Sequence, residues 1–313
     1  GGSIAENTCT KTYGTGVYIK YYNDSYGAFH VLDGSVDESN NVYLPEDATI
    51  TIEGQPSEDN LVAVIYPAAY TSTTAIFEFT DGLDKTAEDV FYNFRCYDNY
   101  YLINSEGYYT SIEGMTSQEI ETIVSKMNTE TYSSLDSDAS VSESYMAYKL
   151  EDVSSQNTFT LVYDDSSICN QLYFISLKDV TFDLTSSTEA AMVFNNSITG
   201  SIMNVVIDIT GTNIFNANSS GAFKITGVDS SAIVNLYFYS SSEGNLTLGS
   251  ESQACVQVDT CTANLYLLEN SNASSMTYGG TSYDDSGWSE FTSELTTSTN
   301  ASVTASFILT ESE

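Results

Sequence analysis

Apolar and polar residues alternate in a repeated pattern through the second half of the chain. Four segments share a frame in which an Asp or Asn stands between apolar residues, at Asp179, Asn204, Asn235 and Asn264, so the steps are 25, 31 and 29 residues. Further short apolar runs with a period of two residues lie between these segments, separated by Ser, Gly, Asn and Asp. The pattern predicts two or three short strands in every repeat.

A repeat of this size cannot bury its own apolar face, so the units are predicted to stack. Each strand then pairs with its equivalent one turn away, at a distance of about 4.8 Å. We therefore predict an all-β fold, a parallel β-helix (solenoid), in which the four Asp and Asn residues form one structural ladder at a corner. A β-sandwich with coincidental Asx turns is the alternative.

Weaker versions of the frame occur upstream, at 46–52, 88–92 and 156–161. The stretch Tyr43–Gly54 resembles the early coil of many right-handed parallel β-helix proteins. Together with the Asx ladder it makes the chain similar to the pectate-lyase-like superfamily, in particular to its secreted and surface-anchored, non-catalytic, adhesin-like members. The resemblance covers 43–104 and 158–270, and it implies a right-handed parallel β-helix.

One segment departs from the strand pattern. Thr116–Glu119 form a capping box, and apolar residues follow at helical spacing. These residues are Ile120, Ile123, Val124 and Met127. The spacing predicts a short helix over 117–128, inserted between coils or covering an open end, followed by a polar, acidic loop over 129–142.

The predicted chain has three parts. Residues 1–44 form an N-terminal β cap, because a bare solenoid end exposes unpaired backbone and invites end-to-end association. Residues 45–270 form the solenoid, with a helical and loop insertion at 105–145. Residues 271–313 form a Ser/Thr-rich C-terminal segment with a terminal strand at Ala301–Leu309.

The charge balance excludes several classes of partner. The chain has 43 acidic and 8 basic side chains and a formal charge of −35. Nucleic acid requires clustered Lys and Arg, and anionic membrane surfaces or acidic polysaccharides are repelled. The longest apolar run, Leu61–Ala69, is too short for membrane insertion. An apolar content of 41% argues against disorder and for a folded core.

Abundant Tyr, Ser, Thr and Asn, with little Lys, indicate an extracellular or cell-surface location, with a signal peptide already removed. Six glycosylation sequons would make it a glycoprotein, although so many arise by chance in such a composition. They start at Asn23, Asn195, Asn218, Asn245, Asn272 and Asn300. The five cysteines are an odd number, so one stays free or pairs with another chain. A disulfide between Cys255 and Cys261, which lie across a turn, or one between adjacent coils is favoured over metal binding.

Calcium is the predicted cofactor, because hard oxygen ligands are abundant. The candidate metal site comprises Asp81, Asp84, Glu88 and Asp89, with solvated acidic turns as the alternative. His30 has no second histidine to support a zinc site or a catalytic triad, so it is predicted to be a structural or surface residue.

Tyrosines are concentrated in two stretches, which we predict to form a binding or assembly surface. Its members are Tyr18, Tyr21, Tyr22, Tyr100, Tyr101, Tyr108 and Tyr109. Aromatic faces stack on sugars, but they equally suit strand packing and protein interfaces.

These features predict a structural or adhesion β-solenoid that presents an acidic, Tyr-rich surface to a glycan, a surface protein or another copy of itself. No catalytic residue is assigned. Two alternatives remain open. One is a polysaccharide-active enzyme, hydrolase or lyase, with the pairs Asp164-Asp165 and Asp284-Asp285 as its carboxylates. The other is a subunit of an extracellular homopolymeric filament.

Overall fold

The computed structural model describes residues 2–4, 17–18, 21–22, 25–26, 29–32, 34–36, 41–45, 48–54, 62–68, 75–96, 101–135, 139–141, 146–164, 172–218, 220–239, 244–250, 256–268, 276–278, 281–283, 296–297 and 302–308. The chain divides into two compact units. Unit 1 comprises Gly1–Lys126 and Ser167–Asn170, and unit 2 comprises Met127–Ser166 and Gln171–Glu313.

Unit 1 contains thirteen short strands among its described residues. They are β1 (Gly2–Ile4), β2 (Val17–Tyr18), β3 (Tyr21–Tyr22), β4 (Ser25–Tyr26), β5 (Phe29–Val31), β6 (Gly34–Val36), β7 (Asn41–Leu44), β8 (Ile50–Ile52), β9 (Ala63–Pro67), β10 (Phe77–Phe79), β11 (Phe94–Cys96), β12 (Tyr101–Ile103) and β13 (Tyr109–Ser111). Three 3-10 helices span Ala87–Asp89, Phe91–Asn93 and Ile112–Gly114, and the α-helix α1 spans Ser117–Ser125.

Parallel pairing dominates unit 1. One parallel sheet has the order β11-β9-β7-β2, and a second has the order β10-β8-β5. The pairs β3-β4 and β12-β13 are antiparallel. Strand β7 lies inside the segment predicted as a cap, and its parallel pairing with β9 shows that stacking begins before residue 45.

Unit 2 contains the remaining strands. They are β14 (Asn128–Tyr132), β15 (Ala139–Val141), β16 (Met146–Glu151), β17 (Ser154–Ser155), β18 (Phe159–Tyr163), β19 (Leu172–Lys178), β20 (Thr181–Leu184), β21 (Met192–Asn196), β22 (Ile202–Ala217), β23 (Phe223–Gly227), β24 (Ile233–Tyr239), β25 (Gly244–Ser250), β26 (Val256–Asp259), β27 (Thr262–Leu268), β28 (Met276–Tyr278), β29 (Thr281–Tyr283), β30 (Thr296–Thr297) and β31 (Ser302–Ile308).

These strands form a β-solenoid of about 5 turns, in which each coil contributes in order to three parallel sheets. Sheet A has the order β14-β16-β19-β22-β24-β27-β31. Sheet B contains β17, β20, the second half of β22, β25 and β28. Sheet C has the order β15-β18-β21-β23-β26-β30. The stacked parallel fold is confirmed, and the β-sandwich alternative is wrong. The predicted terminal strand is β31, which pairs with β27 of the same chain.

Phenylalanines stack through the interior of the solenoid. Phe215 lies 5.3 Å from Phe182 and 5.2 Å from Phe223, measured between ring centroids, and Phe223 lies 5.7 Å from Phe194. All four rings are completely buried. Fully burying such a side chain stabilises the fold by about 1.5–3 kcal/mol, so these rings hold adjacent coils together.

The central strands of sheet A, β22 and β24, are buried on both faces. On β22, Met203, Val205 and Ile207 face the core, while Asn204 and Val206 lie on the opposite face and are only 1% and 2% exposed. Parallel sheets covered on both sides have nearly continuous apolar sequences instead of strict alternation. This explains the unbroken run Ile-Val-Asn-Leu-Tyr-Phe-Tyr of β24.

Three of the four predicted ladder residues lie in one column. Asn204 pairs in register with Asn235, which pairs with Asn264. The Asn235 Nδ2 donates to Asn204 Oδ1 and the Asn264 Nδ2 donates to Asn235 Oδ1, each at 2.8 Å. The Asn235 amide uses its donor toward one coil and its acceptor toward the other, so the ladder satisfies polar groups that would otherwise be costly to bury.

The prediction is wrong for Asp179. The partner of Asn204 on β19 is Leu172, and Asp179 follows the end of that strand at a different corner. There it has a left-handed backbone with φ 53°, as do Asp152 (φ 54°) and Gly211 (φ 66°) at the equivalent positions of neighbouring coils. Asp179 Oδ1 accepts from Thr212 N at 2.9 Å. Asp tolerates this conformation better than most residues, so it marks a turn here instead of a ladder.

Helix α1 is shorter than predicted. The capping box is confirmed, since Glu119 N donates to Thr116 Oγ1 at 3.2 Å and Thr116 N donates to Glu119 Oε2 at 2.8 Å. The helix ends with Lys126 as its C-cap. The prediction of a loop over 129–142 is wrong, because β14 and β15 occupy part of that stretch and pair with β16 and β18.

Candidate functional site

Among the described residues of the central coils, the outer faces of sheets B and C are more exposed than that of sheet A. Residues pointing away from the core on sheet A are largely buried, whereas the outward residues of sheets B and C are half-buried or exposed. A ligand that binds to a solenoid flank must contact side chains that reach solvent. The candidate site is therefore built from these two faces.

Sheet C places its outward side chains in two straight columns. Parallel registers align residues from four successive coils. The first column is Thr160, Val193, Lys224 and Gln257, and the second is Val162, Asn195, Thr226 and Asp259. Every one of these residues is half-buried. At a spacing of about 4.8 Å between strands, four coils give a flat face roughly 14 Å long.

The side chains on the sheet C face can form hydrogen bonds with a ligand. Hydroxyl, amide, ammonium and carboxylate groups lie beside two valines, so both donors and acceptors are present. The Ser220 hydroxyl donates to Gln257 Oε1 at 3.3 Å, which orients that amide. Lys224 and Asp259 contribute one charge of each sign.

Sheet B has a less regular outer face. Its columns are Thr181, Ile214 and Thr247, and then Asp183, Asn216 and Gly249. The Asp183 carboxylate accepts from Thr185 Oγ1 at 2.7 Å and from Thr185 N at 3.3 Å, so one of its oxygens serves the local turn. An isoleucine and a glycine interrupt the polar columns.

The corner beside sheet C is held by Asn196, which is completely buried. Its Nδ2 donates to Ile233 O at 2.9 Å and to Ser201 O at 3.1 Å. Its Oδ1 accepts from Ser201 Oγ at 2.9 Å and from Ile198 N at 3.1 Å. Because this amide has all its hydrogen-bonding capacity engaged, the corner is rigid and the end of the Asn195 strand is fixed.

The structure does not bring the predicted calcium ligands together. Among the described residues, no group of three or more Asp, Glu, His and Cys side chains is placed to hold a metal ion. Asp89 Oδ2 instead accepts from Thr86 N at 2.8 Å, and Asp89 Oδ1 lies 3.6 Å from Lys85 Nζ. The backbone hydrogen bond from Thr86 lowers the pKa of Asp89. The exposed carboxylates of Asp81, Asp84 and Glu88 lie in the preceding turn and in the short 3-10 helix.

The predicted tyrosine surface is divided. Tyr109 is buried at 5% exposure, whereas Tyr101 and Tyr108 are half-buried. Tyr109 pairs with Ile103 across the β12-β13 hairpin. The backbones of Tyr18, Tyr21 and Tyr22 lie in β2 and β3, and Tyr100 lies outside the described residues. The prediction of an exposed surface is therefore wrong for Tyr109.

The predicted disulfide is wrong, because Cys261 is a free, buried thiol; Cys255 lies outside the described residues. Cys261 follows β26 and belongs to the solenoid core. Burial, reinforced by the negative charge of Asp259, raises the pKa of this thiol to about 12. It is therefore protonated and unreactive at neutral pH.

His30 is a surface residue, as predicted, with its Nδ1 at 2.7 Å from Glu53 Oε1. For the alternative enzymatic interpretation, Asp164 follows the end of β18 and is exposed. Its sequence neighbour Asp165 and the pair Asp284-Asp285 lie outside the described residues.

The fold and the two exposed faces define this chain as a parallel β-solenoid protein. Comparisons with protein family models, with curated proteins and with solved structures find no match to it. The parallel coil is thus the part of the resemblance that is shown, and membership of the pectate-lyase-like superfamily stays a prediction. Within the described part of the chain, no helix has the length and apolar character needed to cross a membrane.

The sequence itself contains a signal for the sheet C columns. The strands at 159–163, 192–196 and 223–227 all have apolar residues at their first and third positions. Aligning them through the repeat identifies Thr160, Val193 and Lys224 as equivalent. The ladder was predicted from a recurring residue type, Asp or Asn. The members of a sheet C column differ in residue type and share only their position in the repeat.

Proposed function

We propose that this protein is an extracellular or cell-surface structural and adhesion β-solenoid that binds a neutral glycan on the outer face of sheet C. The solenoid serves as a rigid support, and the ligand contacts the two half-buried columns. No bond is made or broken in this function. The role of the fold is to keep side chains from distant parts of the sequence in one flat array.

The observation that supports this function best is the alignment of the sheet C columns across four coils. Asn195, Thr226 and Asp259 stand one coil apart in one column, with Lys224 and Gln257 in the next. An extended glycan chain offers hydroxyl groups at a regular repeat. A regular ladder of amides and hydroxyls is suited to bind it with one set of hydrogen bonds per coil.

Charge favours a neutral ligand over an anionic one. The formal charge of −35 produces a field that repels uronate polymers and sulfated glycans. On the sheet C face itself, one Lys is balanced by one Asp, so a neutral sugar chain meets no large local charge. Specificity then comes from hydrogen-bond geometry.

The test is binding of the full chain to an array of neutral and anionic glycans. We expect retention on at least one neutral β-linked oligosaccharide and none on polygalacturonate or heparin. The double substitution Thr226→Ala and Gln257→Ala should weaken this binding by about tenfold, which corresponds to roughly 1.4 kcal/mol. The matched control is Thr181→Ala with Thr247→Ala on sheet B, which should leave the affinity unchanged.

Three results would contradict the proposal. One is failure of every neutral glycan to bind, and another is equal weakening by the sheet B and sheet C variants. The third is release of reducing ends from a bound glycan, which would favour the polysaccharide-active enzyme. Both double variants must keep the wild-type circular dichroism spectrum, since all four positions are on the outside of the coil.

A further inference from the structure

Strand β14 is the terminal strand of sheet A. It pairs in parallel with β16 on one side, and among the described residues no strand pairs with its other side. Four of its five residues, Asn128 to Thr131, are exposed. An open edge of this kind is a template for pairing with another chain. The side chains of β14 determine whether another chain can pair with this edge.

The register identifies the face on which each β14 side chain lies. Asn128 pairs with Met146, Glu130 pairs with Tyr148, and Tyr132 pairs with Leu150. These three partners on β16 are members of the solenoid core. Side chains at equivalent positions of neighbouring parallel strands lie on the same side of the sheet. Asn128, Glu130 and Tyr132 therefore occupy the core-facing positions of the first coil.

The first coil closes the core with only a few apolar groups. Tyr132 packs against the core, with its ring 5.7 Å from that of Phe159 in an edge-to-face arrangement. Leu135 is 6% exposed and also belongs to the core. The carbonyl of Leu135 accepts from Asn157 Nδ2 at 2.8 Å and from Ser155 Oγ at 3.1 Å, which ties this turn to the next coil.

The remaining core-facing positions carry polar groups where every other coil carries apolar ones. The column of Glu130 continues through Tyr148, Ile175, Ile207 and Phe238, all of them buried. Burial together with the Glu130 carboxylate raises the pKa of Tyr132 to about 12, which agrees with both side chains being on one face of β14. A carboxylate thus stands at the end of an otherwise apolar column.

We infer that Asn128 and Glu130 close the β14 end of the solenoid to a second copy of this chain. Another copy stacked on β14 would cover the Glu130 carboxylate without a compensating cation. Burying an unpaired charge is strongly unfavourable, and inward-pointing charges are a known means of protecting sheet edges. This inference goes beyond glycan binding and concerns a different part of the solenoid.

The test compares the mass of three forms of the full chain by light scattering over a range of concentrations. Asn128→Val with Glu130→Val should at least double the mass at the highest concentration relative to wild type. The matched control, Thr129→Val with Thr131→Val, adds two valines to the opposite face of the same strand. We expect it to behave as wild type, because it leaves the end of the core column polar.

Single substitutions at position 130 keep the inference falsifiable if the double variant does not fold. Glu130→Val should associate. Glu130→Lys should not, because it keeps a charged group at this position, although of the opposite sign. Equal association of these two variants would overturn the inference. So would a Val variant with wild-type mass at all concentrations, or equal association of the control on the opposite face.

Discussion

At the scale of single residues, the same residue type has different roles in different parts of the coil. Asn204, Asn235 and Asn264 form a hydrogen-bonded column, whereas Asp179 forms a left-handed corner. The difference depends on what stands one coil away. An amide offers a donor and an acceptor and can therefore extend a ladder in both directions, whereas an ionised carboxylate offers only acceptors. Stacked carboxylates would also repel each other.

The central member of the Asn ladder should contribute more to stability than its last member. Asn235→Ala removes one buried and one part-buried hydrogen bond, so we expect it to lower the free energy of unfolding by about 2–3 kcal/mol. Asn264→Ala removes the bond to Asn235 at a half-buried position, so we expect a smaller loss of about 1 kcal/mol. Urea denaturation of both variants measures the difference. Equal losses in the free energy of unfolding for the two variants would contradict this prediction, because they would show that bonding to both neighbouring coils adds nothing.

At the scale of elements, helix α1 is stabilised by a carboxylate that joins two segments. Glu119 Oε2 accepts from the backbone of Thr116, while Glu119 Oε1 accepts from Ser105 N at 2.6 Å. Burial alone would raise the pKa of Glu119, but hydrogen bonds from Ser105 and Thr116 outweigh it and lower the pKa below its ordinary value of 4.5. The capping box is visible in the sequence, whereas the contact with Ser105 depends on the tertiary fold.

Removing the charge of Glu119 should loosen helix α1. We expect Glu119→Gln to cost about 1–2 kcal/mol at pH 7, because charge-assisted hydrogen bonds to backbone amides are lost. Hydrogen exchange of the peptide 117–126, corrected for intrinsic rates, should accelerate by roughly 5–30-fold. Glu121→Gln, an exposed change on the same helix, is the matched control and should leave the exchange rate unchanged.

The pH dependence of this effect has a definite sign. A depressed pKa means that the stabilisation from Glu119 is fully present above the unfolded-state pKa and is lost as the pH falls through the folded-state pKa. The advantage of wild type over Glu119→Gln should therefore be constant at neutral pH and disappear in acid, below 4.5. An advantage that persisted in strong acid would contradict the assigned role of the carboxylate.

At the scale of the whole molecule, the dominant feature is the combination of an apolar core with a formal charge of −35. The core is continuous through the coils of unit 2, and the charges are on the surface, where they repel one another. Self-repulsion opposes the compact state, while burial of the stacked aromatic and aliphatic side chains favours it. The balance depends on ionic strength because salt screens surface charges.

Salt should therefore stabilise this protein, mostly at low concentration. The screening length falls from about 30 Å at 0.01 M to about 8 Å at 0.15 M ionic strength. The midpoint of thermal unfolding of the full chain should rise over this interval, by about 2–4 °C for each kcal/mol of relieved repulsion. Sodium chloride beyond that range should add little. A midpoint that rises linearly to 1 M would instead indicate a general effect of salt on apolar hydration.

The all-β class, the stacking of coils, the capping box of α1 and the terminal strand at β31 could all be predicted from the sequence. Each of these features follows from local periodicity or from a short motif, and neither depends on tertiary contacts. The Asn column was also visible, because its three members recur at steps of 31 and 29 residues.

The folded structure was needed to show which strands are covered on both faces, where the corners fall and which polar residues share a column. Coil lengths vary, so sequence spacing alone could not align Leu172 instead of Asp179 with Asn204. It also could not show that Cys261 faces the core or that β14 ends the apolar columns with Asn128 and Glu130. These properties depend on contacts between residues some thirty positions apart, which register determines and composition does not.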